Sequence, residues 1–105
     1  MSRSLGTSTI AILAALKSRV CYGLDLTQRT GLMPGTVYTT LRRLEERKLV
    51  EGQWEDPAIA EADRRPRRRY YTLTPAGVTA LEEASERLSR LARGVRRQVS
   101  RTSER

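Results

Sequence analysis

Apolar residues recur at helical spacing near the start of the chain. Ile10, Leu13, Leu16 and Val20 lie three or four apart and share one side of a helix. The pattern predicts a first helix from about Ser8 to Ser18, with Ser8 or Thr9 as its cap. A second helix is expected over about Tyr22 to Thr30, with Leu24 and Leu26 as apolar contacts and Gly31 as its stop. Pro34 suits the first position of a third helix, because its missing N–H has no partner there. That helix should run to about Arg47, with Val37, Leu41 and Leu44 along one face and Tyr38 beside it.

The pattern then changes. Leu49 to Trp54 and Arg69 to Leu73 read as strands. Between them lies a polar loop, Glu55 to Arg68, long for a hairpin, whose Pro57 and Pro66 discourage regular pairing. Thr74 and Pro75 open a last helix, one as cap and one in the first turn, that continues to about Val99. Arg101 to Arg105 should fray. Helix, helix, helix, strand, long basic loop, strand, long helix is the order of a winged helix-turn-helix with a C-terminal helix added. The expected class is mainly α with a small β-hairpin wing.

In the last helix Val78, Leu81, Ala84, Leu88, Leu91, Val95 and Val99 form one stripe. A helix that long projects past a body this small, so part of the stripe needs an outside surface. Symmetric pairing with a second copy supplies one. Val78 and Leu81 should pack on their own domain, and Leu81, Ala84, Leu88, Leu91, Val95 and Val99 are the dimerisation candidates. Glu82, Glu86 and Arg90, and Glu83 with Arg87, make four-residue ladders with Glu on the favourable N-terminal side. The expected organisation is one compact unit: a DNA-binding domain over 1–77, then a dimerisation helix and basic tail over 78–105.

Composition narrows the chemistry. A chain of 105 residues is one domain, and without Phe its core is aliphatic. There is no His and a single Cys, Cys21, which excludes a Cys/His zinc site, an internal disulfide and imidazole catalysis. No nucleophile–base pair or metal set is visible, so neither an enzyme nor a cofactor is expected. Cys21 reads as a small core residue rather than a redox sensor. The longest apolar run, Ile10 to Leu16, falls far short of the roughly 20 residues that span a bilayer. Arg3 before that run only faintly mimics a signal peptide, so no membrane is expected and the cytoplasm is the expected compartment.

The net charge is +8, from 20 basic and 12 acidic residues, and nearly all the basic ones are arginine. Such a balance favours an anionic partner, and the arginine fork suits phosphate and guanine. Gly35, Thr36, Thr39, Arg42, Arg43 and Glu46 fall on the side of the third helix away from Val37 and Leu41. Gly35 and Thr36 lie in the first turn, where free N–H groups attract phosphate. Arg43 can pair with guanine while the Thr39 methyl touches thymine. By itself such a face is more often merely a solvated one. The loop where a wing should be, with Arg64, Arg65, Arg67 and Arg68 around Pro66, favours DNA. Proline should hold that tip extended and splay its arginines. Trp54, Tyr70 and Tyr71 should pack the ribbon onto the helices, while Tyr22 and Tyr38 can reach a phosphate. Arg93, Arg96, Arg97 and Arg101 suit a helix C-terminus rather than a further DNA arm.

Several runs together resemble the PadR family of bacterial transcriptional regulators. They are Tyr22-Gly23-Leu24-Asp25-Leu26, the stretch from Pro34 through Glu45, Leu49-Val50, Trp54, and the stretch from Arg68 through Gly77. The resemblance covers roughly residues 8–99, and the run from Pro34 to Leu44 is its specific part. It implies a dimeric winged-helix repressor whose long C-terminal helix supplies the interface, and resembles the short branch with a single C-terminal helix. Two departures stand out: Met33 where the family often has a capping Ser, and Leu24 where a second Tyr is common. Members that bind planar aromatic compounds between subunits tend to present aromatic rings on that last helix, and this chain has none there. A small-molecule effector is left open.

The expected function is sequence-specific binding of double-stranded DNA by a homodimer, on a pseudo-palindrome with half-sites about one turn, or a multiple of it, apart. The alternative is a winged-helix module that binds protein or RNA through the same basic surface.

Overall fold

The computed structural model describes residues 5–103. Along it run α1 (Thr7–Ser18), β1 (Cys21–Tyr22), α2 (Gly23–Thr30), α3 (Pro34–Glu46), β2 (Val50–Trp54), α4 (Pro57–Ala62), β3 (Arg69–Leu73) and α5 (Pro75–Ser103). The strands form an antiparallel sheet in the order β1-β3-β2, with Val50 opposite Leu73 and Trp54 opposite Arg69. This is the winged helix-turn-helix with a long C-terminal helix.

One aliphatic core joins the helices to the sheet. Ile12, Leu13 and Leu16 of α1, Leu26 of α2, and Val37, Leu41 and Leu44 of α3 meet Leu49, Val50, Tyr71 and Leu81 there. The third-helix face is the one its periodicity predicts. α1 differs: Ile12 is fully buried, Ile10 only partly, and Val20 lies beyond the helix and is half exposed. Neither Ser8 nor Thr9 caps α1, because the helix begins at Thr7 with Gly6 before it and no side-chain cap. Leu24 is also exposed, so α2 enters the core through Leu26.

Three local features were not expected. Cys21 and Tyr22 pair with Tyr71 and Tyr70 as a two-residue strand, so α2 starts at Gly23. Two residues are too few for alternation to register. Cys21 is buried in that strand, with Arg29 Nη1 3.3 Å from its sulfur. The wing loop contains a short helix, α4: Asp56 accepts the Ala58 N–H at 2.9 Å and Pro57 opens the turn. The proline that stops strand pairing therefore starts a helix. At the far end, residues 101–103 continue α5 where fraying was expected. Arg3, Glu104 and Arg105 lie outside the described residues.

The joints follow their local chemistry. Gly31 ends α2 at φ 74°, a left-handed conformation glycine adopts without strain. Met33 gives α3 no side-chain cap, and Pro34 occupies the first turn. Thr74 Oγ1 accepts the Gly77 N–H at 3.0 Å and donates to the Lys48 carbonyl at 2.7 Å, which sets the start of α5 against the end of α3. Residues 77 and 78, where the expected DNA-binding and dimerisation parts divide, both lie inside α5.

Candidate nucleic-acid interface

The surface is built from the exposed face of α3, the β1–α2 corner and the wing. On α3, Gly35, Thr36, Arg42 and Arg43 are exposed and Thr39 is half-buried, opposite the buried Val37, Leu41 and Leu44. Tyr38 is exposed, yet its ring lies so close to Gly23 that a Cβ there would collide with it. Tyr22, next to Gly23, is half-buried and meets Tyr70 edge-on, with ring centres 5.5 Å apart. Arg68 lies over the Tyr22 ring at 4.1 Å. Tyr38, Tyr22 and Arg68 thus connect α3 to the wing through the β1–α2 corner.

The wing arginines differ from one another. Arg64 is exposed, with a left-handed φ of 53°. Arg65 is turned inward: its Nη1 and Nη2 donate to Glu55 Oε1 and Oε2 at 2.6 and 2.9 Å, and Nη2 lies 3.3 Å from Asp63 Oδ2. Arg67 Nε donates to the Glu55 carbonyl at 3.1 Å and its guanidinium sits 5.5 Å from the Trp54 ring centre. The expected extended, splayed tip is therefore corrected. The loop folds around α4 and Glu55, with Arg65 turned in rather than splayed.

Glu55 is buried, and the Arg65 fork holds its carboxyl down at about 2, reinforced by the Arg68 N–H. The same pairing raises Arg65 above the usual arginine range. Sequence reasoning missed Glu55, Trp54 and Arg69 as parts of this surface. Trp54 does not pack the ribbon onto the helices; it is 54% exposed between Arg67 and Arg69, each 5.5 Å from its ring centre. The signal available was register, since Trp54 and Arg69 face each other across the hairpin.

α5 divides in two. Leu81 and Ala84 are 4% and 1% exposed within a single chain, against their own domain, so they are core positions before any partner arrives. Leu88, Leu91, Val95 and Val99 are exposed. The helix has 29 residues, about 43 Å of rise, in a body whose shorter extents are 29 and 21 Å. Of the acid–base ladders, Glu86 and Arg90 meet at 3.2 Å. Among the described residues no helix is long and apolar enough to cross a membrane.

A model of the transcriptional regulator PadR-like family matches residues 12–83. Among solved structures, a PadR family transcription regulator from hypervirulent Clostridium difficile is 27% identical with a TM-score of 0.74, over 90% of this chain and 98% of that one. A PadR-like regulator from Bacillus cereus is 25% identical with a TM-score of 0.72, over 87% and 89%. BpsR of Bordetella bronchiseptica, whose DNA binding is regulated by 6-hydroxynicotinic acid, is 29% identical with a TM-score of 0.70. This chain is covered over 87% and spans 64% of that protein's length. Among curated proteins none matches.

Proposed function

Since the chain belongs to the PadR-like family of transcriptional regulators, which bind DNA, we propose that it is a repressor that acts in the cytoplasm as a homodimer on a pseudo-palindromic operator. Gly35, Thr36, Thr39, Arg42 and Arg43 enter the major groove, where Arg43 and Thr39 read base edges. Tyr22, Tyr38, Arg64, Arg67 and Arg68 grip the flanking backbone or minor groove. Leu88, Leu91, Val95 and Val99 meet their counterparts in a second copy.

The observation that carries this reading is the continuity of the surface. The polar face of α3 is joined to the wing by contacts: the Tyr38 ring lies against Gly23, and Arg68 lies over the ring of neighbouring Tyr22. The exposed apolar half of α5 supports the dimer, because apolar positions recurring at heptad-like spacing along a projecting helix suit a helical partner. A footprint on the DNA upstream of its own and neighbouring genes tests the proposal. Protection should cover two half-sites about one turn, or a multiple, apart. Uniform weak protection of all duplexes would contradict it. The same assay with 6-hydroxynicotinic acid, the compound that regulates BpsR, tests for an effector.

A further inference from the structure

Glu55 is the one charged residue buried among the described residues. A buried carboxylate without partners is strongly unfavourable, so what surrounds it is informative. Arg65 gives it both fork nitrogens, and the Arg68 backbone N–H donates to Oε1 at 3.2 Å. The Glu55 main chain adds two bonds: its N–H donates to the Arg68 carbonyl at 2.9 Å, and its carbonyl accepts from Arg67 Nε at 3.1 Å. Residues 65, 67 and 68 are all positioned from this one residue. The strained backbone at Arg64 lies next to the clip, as expected where surroundings hold a sparsely populated conformation in place.

The arginines differ in what this leaves exposed. Arg65 is committed to Glu55, with its side chain 20% exposed. Arg67 and Arg68 lie over Trp54 and Tyr22. Contact with a ring uses the face of a guanidinium, whereas phosphate binds its in-plane N–H groups. With Arg67 Nε held by the Glu55 carbonyl, its Nη groups are the ones left for phosphate, and Arg68 is steadied by Tyr70 as well as Tyr22.

We propose that Glu55 and Arg65 are a positioning pair for DNA binding: Arg65 is withdrawn from the interface, and its ion pair with Glu55 sets the wing so that Arg67 and Arg68 face phosphate. The proposal rests on the reading that the wing grips DNA. It removes Arg65 from the DNA-contacting set and gives an acidic residue a positive role in binding a polyanion.

Charge and positioning make opposite predictions for one variant. Glu55→Gln makes the protein more positive, so charge alone tightens DNA binding; loss of positioning weakens it. Duplex binding is measured across a salt series for the parent, Glu55→Gln, Arg65→Lys, Arg67→Ala with Arg68→Ala, and the triple variant that adds Glu55→Gln. Urea denaturation reports the global fold. Trp54, the only tryptophan, reports the wing in the free protein by fluorescence. The Arg67/Arg68 variant should bind more weakly, with a log–log salt slope flatter by about 1.8 per wing. Glu55→Gln and Arg65→Lys should each lose affinity, flatten the slope and change Trp54 emission. The triple variant should lose no more than the Arg67/Arg68 variant, because Glu55 acts through those two residues. Should Glu55→Gln fail to fold, Arg65→Lys, which keeps the charge but not the fork, still decides. Parent-like or tighter binding by the folded Glu55→Gln or Arg65→Lys protein overturns the proposal, as does an additive triple variant. Parent-like binding by the Arg67/Arg68 variant instead overturns the wing reading, and the proposal with it.

Discussion

Glu45, in the last turn of α3, and Arg69, the first residue of β3, form an ion pair of 3.0 Å that ties the end of the third helix to the base of the wing. Arg69 also lies over Gly52, where a Cβ would collide with its guanidinium, and over the Trp54 ring. Glu45 holds it firmly protonated. Both side chains are partly exposed, so the pair is worth about 1 kcal/mol or less. A double-mutant cycle of Glu45→Gln and Arg69→Gln, read by urea denaturation, should give a coupling of that size. Zero coupling would show that the contact contributes nothing to the helix–wing joint.

Gly77→Ala separates local propensity from packing. Alanine is the better helix former by about 1 kcal/mol, so propensity alone predicts a more stable protein. A Cβ at this position would instead drive into the Leu49 carbonyl oxygen, a backbone atom that cannot move aside cheaply. The expected result is a net loss of about 1–3 kcal/mol in urea denaturation. A gain would mean that the α3–β2 turn yields readily.

The two halves of α5 should respond differently to a charge. Leu88 is 42% exposed in one chain, so Leu88→Asp should leave the protomer folded and abolish the dimer in light scattering. Leu81 is in the core, so Leu81→Asp should unfold it, because a lone carboxylate buried there has no partner. A Leu88→Asp protein that remains a stable dimer would place the interface elsewhere.

The wing should have an acid limit. Glu55 is held at about 2, against an ordinary 4.5, with Arg65, Asp63 and the Arg68 N–H around it. Its folded value lies below its unfolded one, so the unfolded state takes up the proton first as pH falls. The stabilisation is complete above the ordinary value and is lost on the way down through about 2. An acid titration of Trp54 fluorescence should show a wing transition in that window for the parent and none there for Glu55→Gln.

Long periodic elements were legible in the sequence because one rule set them. Val37, Leu41 and Leu44 repeat on a single face, and the structure buries all three. The stop at Gly31 and the start at Pro34 were equally plain, since backbone chemistry fixes them. What escaped depended on distant partners. β1 is a strand only because Tyr70 and Tyr71 are beside it. Leu81 and Ala84 share the stripe of Leu88 and Leu91, and only packing against the rest of the chain divides buried from exposed. The basic loop was legible as composition but not as geometry: six positions hold five arginines, and nothing local says that Arg65 turns in to Glu55 while Arg64 stays out.

In the proposed complex α3 reads sequence while the wing grips backbone. Equilibrium binding to the footprinted operator and to a random duplex, across a salt series, tests it with Arg43→Ala and with Arg67→Ala plus Arg68→Ala. Loss of Arg43 should cost about 1–3 kcal/mol per half-site on the operator and much less on random DNA. Loss of Arg67 and Arg68 should weaken both duplexes alike and flatten the salt dependence by about 0.9 for each phosphate no longer neutralised. If the wing variant alone changed sequence preference, while Arg43→Ala weakened every duplex equally, the roles would be reversed, with the wing arginines reading sequence.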